Sequence, residues 1–339
     1  MGSKGKNIAK KITAVVLMPL LVYLIMLIIG AFNGKTFNIF NWNSLSSIME
    51  SASYMCLVAL GIGFQLKYGR FDFSGGAIIV VTAIVSAKVA VATNLNLEII
   101  ILVGICIGIL LSLLNAVIYV YSRVPISVIS LATAFLLESF SGLIIGNDAV
   151  PQLMYNSNYN VYNTFPLILI PLLLGIGIYV IYGHFTVQGR RSALLRANQK
   201  SAVNIGINEK RNTIITYVVS GFIFGLAGVL YATSNNLAKV TTPLETAGTL
   251  FSNIVPSLVG LFLSRYIDDS LGTFIGALTI TILYYGLDLI GVTSGVKIVS
   301  YSVFLAIFIF ISGFWDQIYL YFKNLFIRIF KRDKCKALK

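Results

Sequence analysis

Apolar stretches of bilayer-spanning length follow one another along most of the chain, near residues 13–31, 46–66, 76–93, 99–121, 127–146, 165–182, 213–233, 247–263, 271–291 and 297–314. Each reads as a membrane helix, so the pattern predicts ten spans and an all-α polytopic membrane protein. Polar positions gather between these runs. The longest polar run between the first span and the tail is Gly183 to Asn212, GHFTVQGRRSALLRANQKSAVNIGINEKRN. Its interior, Ser192 to Asn204, has no Pro or Gly and sets Leu194, Leu195 and Ala202 among polar residues. That spacing predicts a short helix lying along the membrane surface or against a partner. The first apolar run is longer than the core of a signal peptide, and no small-x-small cleavage pattern precedes Asn33, so it is read as a retained span.

Charge gives the spans a direction. The long loop holds Arg190, Arg191, Arg196, Lys200, Lys210 and Arg211 against one acid, Glu209. With the N-terminus inside, 21 of the 25 Lys and Arg fall in inner segments. These are Lys4, Lys6, Lys10 and Lys11 at the start, Lys67 and Arg70 after span two, Arg123 after span four, the six of the long loop, Arg265 after span eight, and the tail from Lys323. Lys35, Lys239 and Lys297 fall outside, and Lys88 lies within a span. Basic excess marks the cytoplasmic side, which places both termini in the cytoplasm. The predicted organisation is a basic cytoplasmic N-terminus over 1–12, one transmembrane domain over 13–314 with its cytoplasmic loop at 183–212, and a basic amphipathic tail over 315–339. The tail sets Tyr319, Tyr321, Phe322, Phe326 and Phe330 among Lys323, Arg328 and Lys331, a mixture suited to the lipids of the inner leaflet. The outer connection Asn147 to Thr164, rich in Asn and Tyr, caps the bundle or contacts a partner protein.

Composition agrees: 57% hydrophobic and 11% charged residues, with a mean hydropathy of +0.88, exclude a soluble globule. The net charge of +13 would suit nucleic acid, but its concentration in inner loops accounts for it, and no nucleic-acid partner is expected. The 29 glycines suit close packing of helices in lipid. Cys56, Cys106 and Cys335 show no paired spacing. There is no Walker A pattern, nucleophile elbow or metal-ligand pair, so no catalytic or metal residue is assigned. His184 reads as an interfacial residue at a span end. Charges inside spans are costly and face partners or water. Glu138 in span five is the leading candidate for a pore-facing or subunit-facing group, with Lys88 in span three, Asp288 near the outer end of span nine and Glu50 at the outer start of span two. Asn115 and Thr133 suit hydrogen bonds either to a polar solute or between helices.

Between spans two and three the chain reads YGRFDFSGGAI, with Asp72 and Ser74 as N-cap residues for span three and Gly69, Gly75 and Gly76 permitting a tight turn. This segment resembles the G-x-D-L-S-V-G signature of permease subunits from bacterial ribose-type sugar ABC importers and their branched-chain-type relatives, through Ala59, Gly61, Gly69, Asp72, Ser74, Gly76 and Ile78. LLNAVIYVYSRVPISVISLATAF is similar to the family's next stretch at Asn115, Pro125, Leu131 and Thr133. The basic loop resembles the family's loop motif at Gly189, Arg190, Asn198, Ala202, Gly206 and Ile207, and LGTFIGAL its closing motif at Gly272, Thr273, Gly276, Ala277 and Leu278. The chain departs from the pattern at Arg196 and Ala197, where the family has Gly-Gly. It departs again at Leu261, Phe262, Arg265 and Tyr266 in the connection of spans eight and nine, where Gly260 remains.

The resemblance implies an ABC importer type II-like permease fold in a bacterial cell membrane, forming the pathway for a ribose- or galactose-like monosaccharide. It implies separate cytoplasmic ATPase subunits, binding ATP with magnesium, that dock through Gly189, Arg190, Arg191, Asn198, Ala202 and Gly206, while this chain binds no cofactor. It further implies an extracytoplasmic solute-binding protein and a second permease chain, as a homodimer or a related heterodimer. Gly69, Asp72, Ser74 and Gly76 would form a gate turn, and Asn115, Thr133, Glu138, Lys88 and Asp288 are the candidate pathway residues. The same architecture suits a nucleoside, an autoinducer-type sugar or a branched-chain amino acid as cargo. A stand-alone secondary transporter or channel is the alternative of another class, and it would pair acidic residues across broken helices.

Overall fold

The long apolar runs become helices in the computed structural model, which describes residues 3–122, 124–146, 150–156, 158–159, 164–237, 240 and 243–336, with residues 3–14, 315, 316 and 318–336 described by backbone alone. Arg123, Lys239 and, in the outer connection, residues 147–149, 157 and 160–163 lie outside the described residues, as do the side chains of the tail aromatics and of Lys4, Lys6, Lys10 and Lys11. Among the described residues there is no strand. The helices are α1 (Ser3–Phe32), α2 (Trp42–Lys67), α3 (Ser74–Thr93), α4 (Leu97–Ser122), α5 (Ile126–Ile145), α6 (Leu169–Val180), α7 (Val187–Ala197), α8 (Gln199–Asn204), α9 (Glu209–Ser234), α10 (Glu245–Ser252), α11 (Ile254–Leu263), α12 (Asp269–Ile290) and α13 (Ser294–Lys336).

Among the described residues nine helical stretches are long and apolar enough to cross a membrane, and the bent pair 169–185 and 187–197 makes ten. Two local predictions need correcting. Span six does not begin at residue 165 but at Leu169, and after a π-helical turn, Ile181–Phe185, the chain bends by 70° into α7. Span eight holds as one apolar stretch, Glu245–Leu263, but carries an interruption at Asn253, between α10 and α11, that the hydropathy does not mark. The single loop helix expected over 192–204 is two, α7 and α8, separated at Asn198, whose Oδ1 accepts the Ser201 N–H at 3.0 Å. Lys210 and Arg211 belong to the first turn of α9.

By its internal contacts the chain forms two units, Met1–Gly286 and Leu287–Lys339. In the second, the end of α12 turns at Gly291 into the 43-residue α13, and Asp288 pairs with Lys297. In the first, α9 packs against α2, α3 and α4. A Cβ on Gly108 would lie 2.4 Å from the Gly221 carbonyl, and one on Gly225 would lie 2.6 Å from the Gly104 carbonyl. Two four-residue glycine spacings therefore face each other and let α4 and α9 meet backbone to backbone. Phe224 fills the room left at Gly61 and Gly75, where a Cβ would meet its ring at 2.4 Å and 2.7 Å.

Contacts between helix ends fix the alternation of direction. At one end lie Lys67 with Asp269, Arg70 with Thr213, and Tyr182 with Thr216. At the other, Glu50 accepts the Phe165 N–H, Lys88 donates to the Ile144 carbonyl, and Tyr285 donates to Ser44. From α2 to α12 the spans run up and down in turn, as the charge pattern requires.

Candidate functional site

The turn between α2 and α3 gathers buried polar side chains. Helix α2 closes where the Tyr68 and Arg70 N–H groups both return to the Gln65 carbonyl, at 3.1 Å and 3.0 Å. Gly69 sits between them at φ +77°, a conformation that costs a residue with a side chain. Ser74 is the first residue of α3 and not its cap. Asp72 serves that helix end instead, its Oδ1 accepting the Ser74 N–H at 2.8 Å and hydroxyl at 2.7 Å. Asn115 of α4 donates to Asp72 Oδ2 at 3.1 Å and to Ser74 Oγ at 2.9 Å, and Thr133 of α5 donates to Asn115 Oδ1 at 3.1 Å. The buried Tyr217 hydroxyl of α9 faces the same carboxylate without reaching good hydrogen-bond geometry. Burial raises the Asp72 carboxyl above its ordinary range, and the donors from Ser74 and Asn115 offset this only in part. Beside it Gln65 donates to Ser220 at 2.8 Å, and Arg70 donates to Thr213 at 3.0 Å. One turn thus ties α2 and α3 to α4, α5 and α9.

The predicted pathway residues have protein partners. Asn115 and Thr133 belong to the Asp72 network. Glu138, 5% exposed, accepts the Leu244 N–H at 2.8 Å and the Thr246 N–H and hydroxyl at 2.9 Å and 2.7 Å. It holds the open start of α10, where a helix leaves N–H groups unpaired and attracts negative charge. The turn motif reaches the same place, because a Cβ on Gly76 would lie 2.2 Å from the Thr246 carbonyl. Lys88 donates to the Ile144 and Ile145 carbonyls at 2.6 Å and 3.4 Å, at the C-terminal end of α5. Asp288 pairs with Lys297. Gly69, Asp72, Ser74, Gly76, Asn115, Thr133 and Glu138 therefore form a connected structure.

The basic loop is folded and anchored. Thr186 Oγ1 accepts the Gly189 N–H at 3.1 Å and donates to the Tyr182 carbonyl at 2.7 Å. A Cβ at Gly189 would lie 2.1 Å from that carbonyl, so the bend requires glycine. Buried Ser192 accepts from Asn212 Nδ2 at 2.5 Å and lies 3.2 Å from the Tyr182 hydroxyl, which fastens α7 to α9. Leu195, Ala202 and Ile207 form a small core beneath α7 and α8, and Gly206 turns at φ +89°. On the opposite face Arg190, Arg191, Arg196 and Lys200 are exposed, together with Leu194, Val203 and Ile205.

Sequence reasoning missed one group here. His184 Nε2 donates to Asp268 Oδ2 at 2.5 Å, and Asp269 takes Lys67 Nζ at 2.7 Å and the Tyr179 hydroxyl at 2.8 Å. Burial works to raise Asp268, but the Ser270 hydroxyl and N–H and His184 outweigh it and hold the carboxyl below its ordinary range. The three side chains of His184, Asp268 and Asp269 bring possible ligand atoms within 4.8 Å of one another, yet the Lys67 ammonium occupies Asp269 and repels a divalent ion. The departures from the family pattern just before Asp268 mark this segment, but no spacing links it to a histidine 84 residues earlier.

Comparison with known proteins places these motifs in one context. The chain is 23% identical over 289 residues to the ribose import permease protein RbsC of Escherichia coli, covering 81% of this chain and 87% of that one. It is 22% identical to the galactose/methyl galactoside import permease protein MglC of Haemophilus influenzae, with 80% and 86% covered. It is 25% identical to the fructose import permease protein FruG of Bifidobacterium longum, with 79% and 81% covered. No solved structure matches the chain. Residues 44–312, which hold all four motifs, match the family described as the permease component of the branched-chain amino acid transport system, and the chain belongs to that family.

Proposed function

We propose that this chain forms the solute pathway of an ATP-driven importer in a bacterial cell membrane, carrying a monosaccharide handed over by an extracytoplasmic binding protein. ATP with magnesium is hydrolysed on separate ATPase subunits, and a second permease chain completes the pathway. The observation that carries this reading is the shape of the basic loop. It presents Arg190, Arg191 and Arg196 beside exposed Leu194, Val203 and Ile205, while Ser192 fastens it to α9 and Thr186 to Tyr182 of the π-helical turn. Such a face suits docking of another protein, and its anchorage lets a push reach the helices. Sugars are named for the relatives RbsC, MglC and FruG, which favours a sugar as cargo. The family's description favours a branched-chain amino acid as the second reading. A stand-alone ion-coupled transporter is disfavoured, because Glu138 and Lys88 are committed to helix ends.

Reconstitution with the ATPase and binding protein tests the reading. Arg190→Glu is expected to leave insertion intact and to uncouple ATP hydrolysis from uptake. Uptake that stays coupled in this variant, or uptake by the chain alone without nucleotide, would overturn it. Competition of ribose, galactose, fructose and leucine for the binding protein separates the two cargoes.

A further inference from the structure

The connection between α11 and α12 departs from the family pattern at Leu261, Phe262, Arg265 and Tyr266, yet the two acids that follow it make charged contacts to other helix ends. Asp268 caps α12, accepting the Ser270 N–H at 3.0 Å and hydroxyl at 2.6 Å, and takes His184 on its other oxygen. Asp269 follows at once and binds Lys67 at the end of α2 and Tyr179 of α6. Acidic residues at a helix start are favoured by the unpaired N–H groups there. One Asp-Asp pair is therefore gripped by α2, α6 and the joint at which α6 bends into α7.

The two grips differ in kind. The Lys67–Asp269 side chains are 23% and 7% exposed, and Tyr179 closes over them. A pair so enclosed is costly to separate. The His184–Asp268 side chains are 52% and 25% exposed. An exposed pair holds weakly and can part and re-form. It also sits at the 70° bend, where any tilt of α7 has its pivot. We propose that His184 and Asp268 are positioning residues for coupling: their link carries movement of α7 to the start of α12. This rests on the reading that α7 and α8 receive the ATPase.

The test uses the complete importer in proteoliposomes and reads ATP hydrolysed per solute imported. His184→Ala should raise that ratio roughly two- to fivefold, the range open to one exposed pair. His184→Gln, which keeps an N–H donor, should restore it. Asp268→Asn, which can still accept from Ser270, should resemble His184→Ala, and the double variant should be no worse than either single one. Size-exclusion chromatography with the ATPase confirms that each variant folds and assembles. An unchanged ratio in His184→Ala, or additive losses in the double variant, would overturn the link. Arg190→Glu run alongside separates the two ideas. If it raises the ratio and His184→Ala does not, only the link fails; if neither does, the coupling reading fails with it.

Discussion

At the scale of single residues, polar groups in this bundle mostly hold backbone ends and one another. Asp72 is an acceptor surrounded by donors, so Asp72→Asn would turn an amide N–H2 toward either Ser74 or Asn115, each of which already donates. The expected loss is about 1–3 kcal/mol of stability, read as a lower unfolding temperature in detergent. An unchanged midpoint would mean that the carboxyl is already protonated and donating. Glu138 permits a sharper distinction, because it serves three donors at the start of α10. Glu138→Gln should cost about 1.5–3 kcal/mol, the range for hydrogen bonds to a charged group, and should leave the apparent affinity for solute unchanged. A changed KM for uptake at unaltered stability would return Glu138 to the pathway. Nothing in the chain order distinguishes these uses, since an intramembrane acid looks the same whether it faces solute or the end of a half-helix.

At the scale of elements, long helices were legible because hydropathy over a span-length window decides them, while their interruptions were not. The interruption at Asn253 lies between two long-range contacts that the sequence does not show, Glu138 accepting at the start of α10 and Ser257 donating to the Ala59 carbonyl 198 residues away. The bend after Phe185 depends on Gly189 seating against the Tyr182 carbonyl, where the glycine was visible but its neighbour was not. The same limit applies to the seam between α4 and α9. Its glycines can be counted in the sequence, but their facing registers come only from the fold. Gly108→Ala would set a methyl group 2.4 Å from the Gly221 carbonyl, and two backbones cannot yield as a side chain can. The expected cost is about 1–3 kcal/mol, with reduced yield of folded protein. Gly177→Ala on α6 is the control, since a Cβ there meets nothing within 4 Å, and it should be neutral or mildly stabilising. Equal behaviour of the two variants would mean that α4 and α9 do not meet along this line.

At the scale of the whole molecule, the alternation of helix ends and the distribution of charge are independent observations that agree. The end contacts put the basic loop and the Tyr155 segment at opposite ends of the first unit, because Tyr155 donates to Asn236 beyond the C-terminal end of α9 while Lys200 lies just before its start. They do not say which end faces the cytoplasm; only the positive-inside asymmetry does. Both side chains are exposed, Tyr155 at 73%. Cysteine placed at either position should therefore react with a membrane-impermeant maleimide from one side only, Tyr155→Cys in intact cells and Lys200→Cys in inverted vesicles. Labelling of both from the same side would break the alternation and, with it, the even number of spans on which every later loop depends. Labelling of both from the reversed sides would keep the fold but turn Arg190, His184 and Asp268 away from any cytoplasmic motor, and the pathway would then need another source of energy.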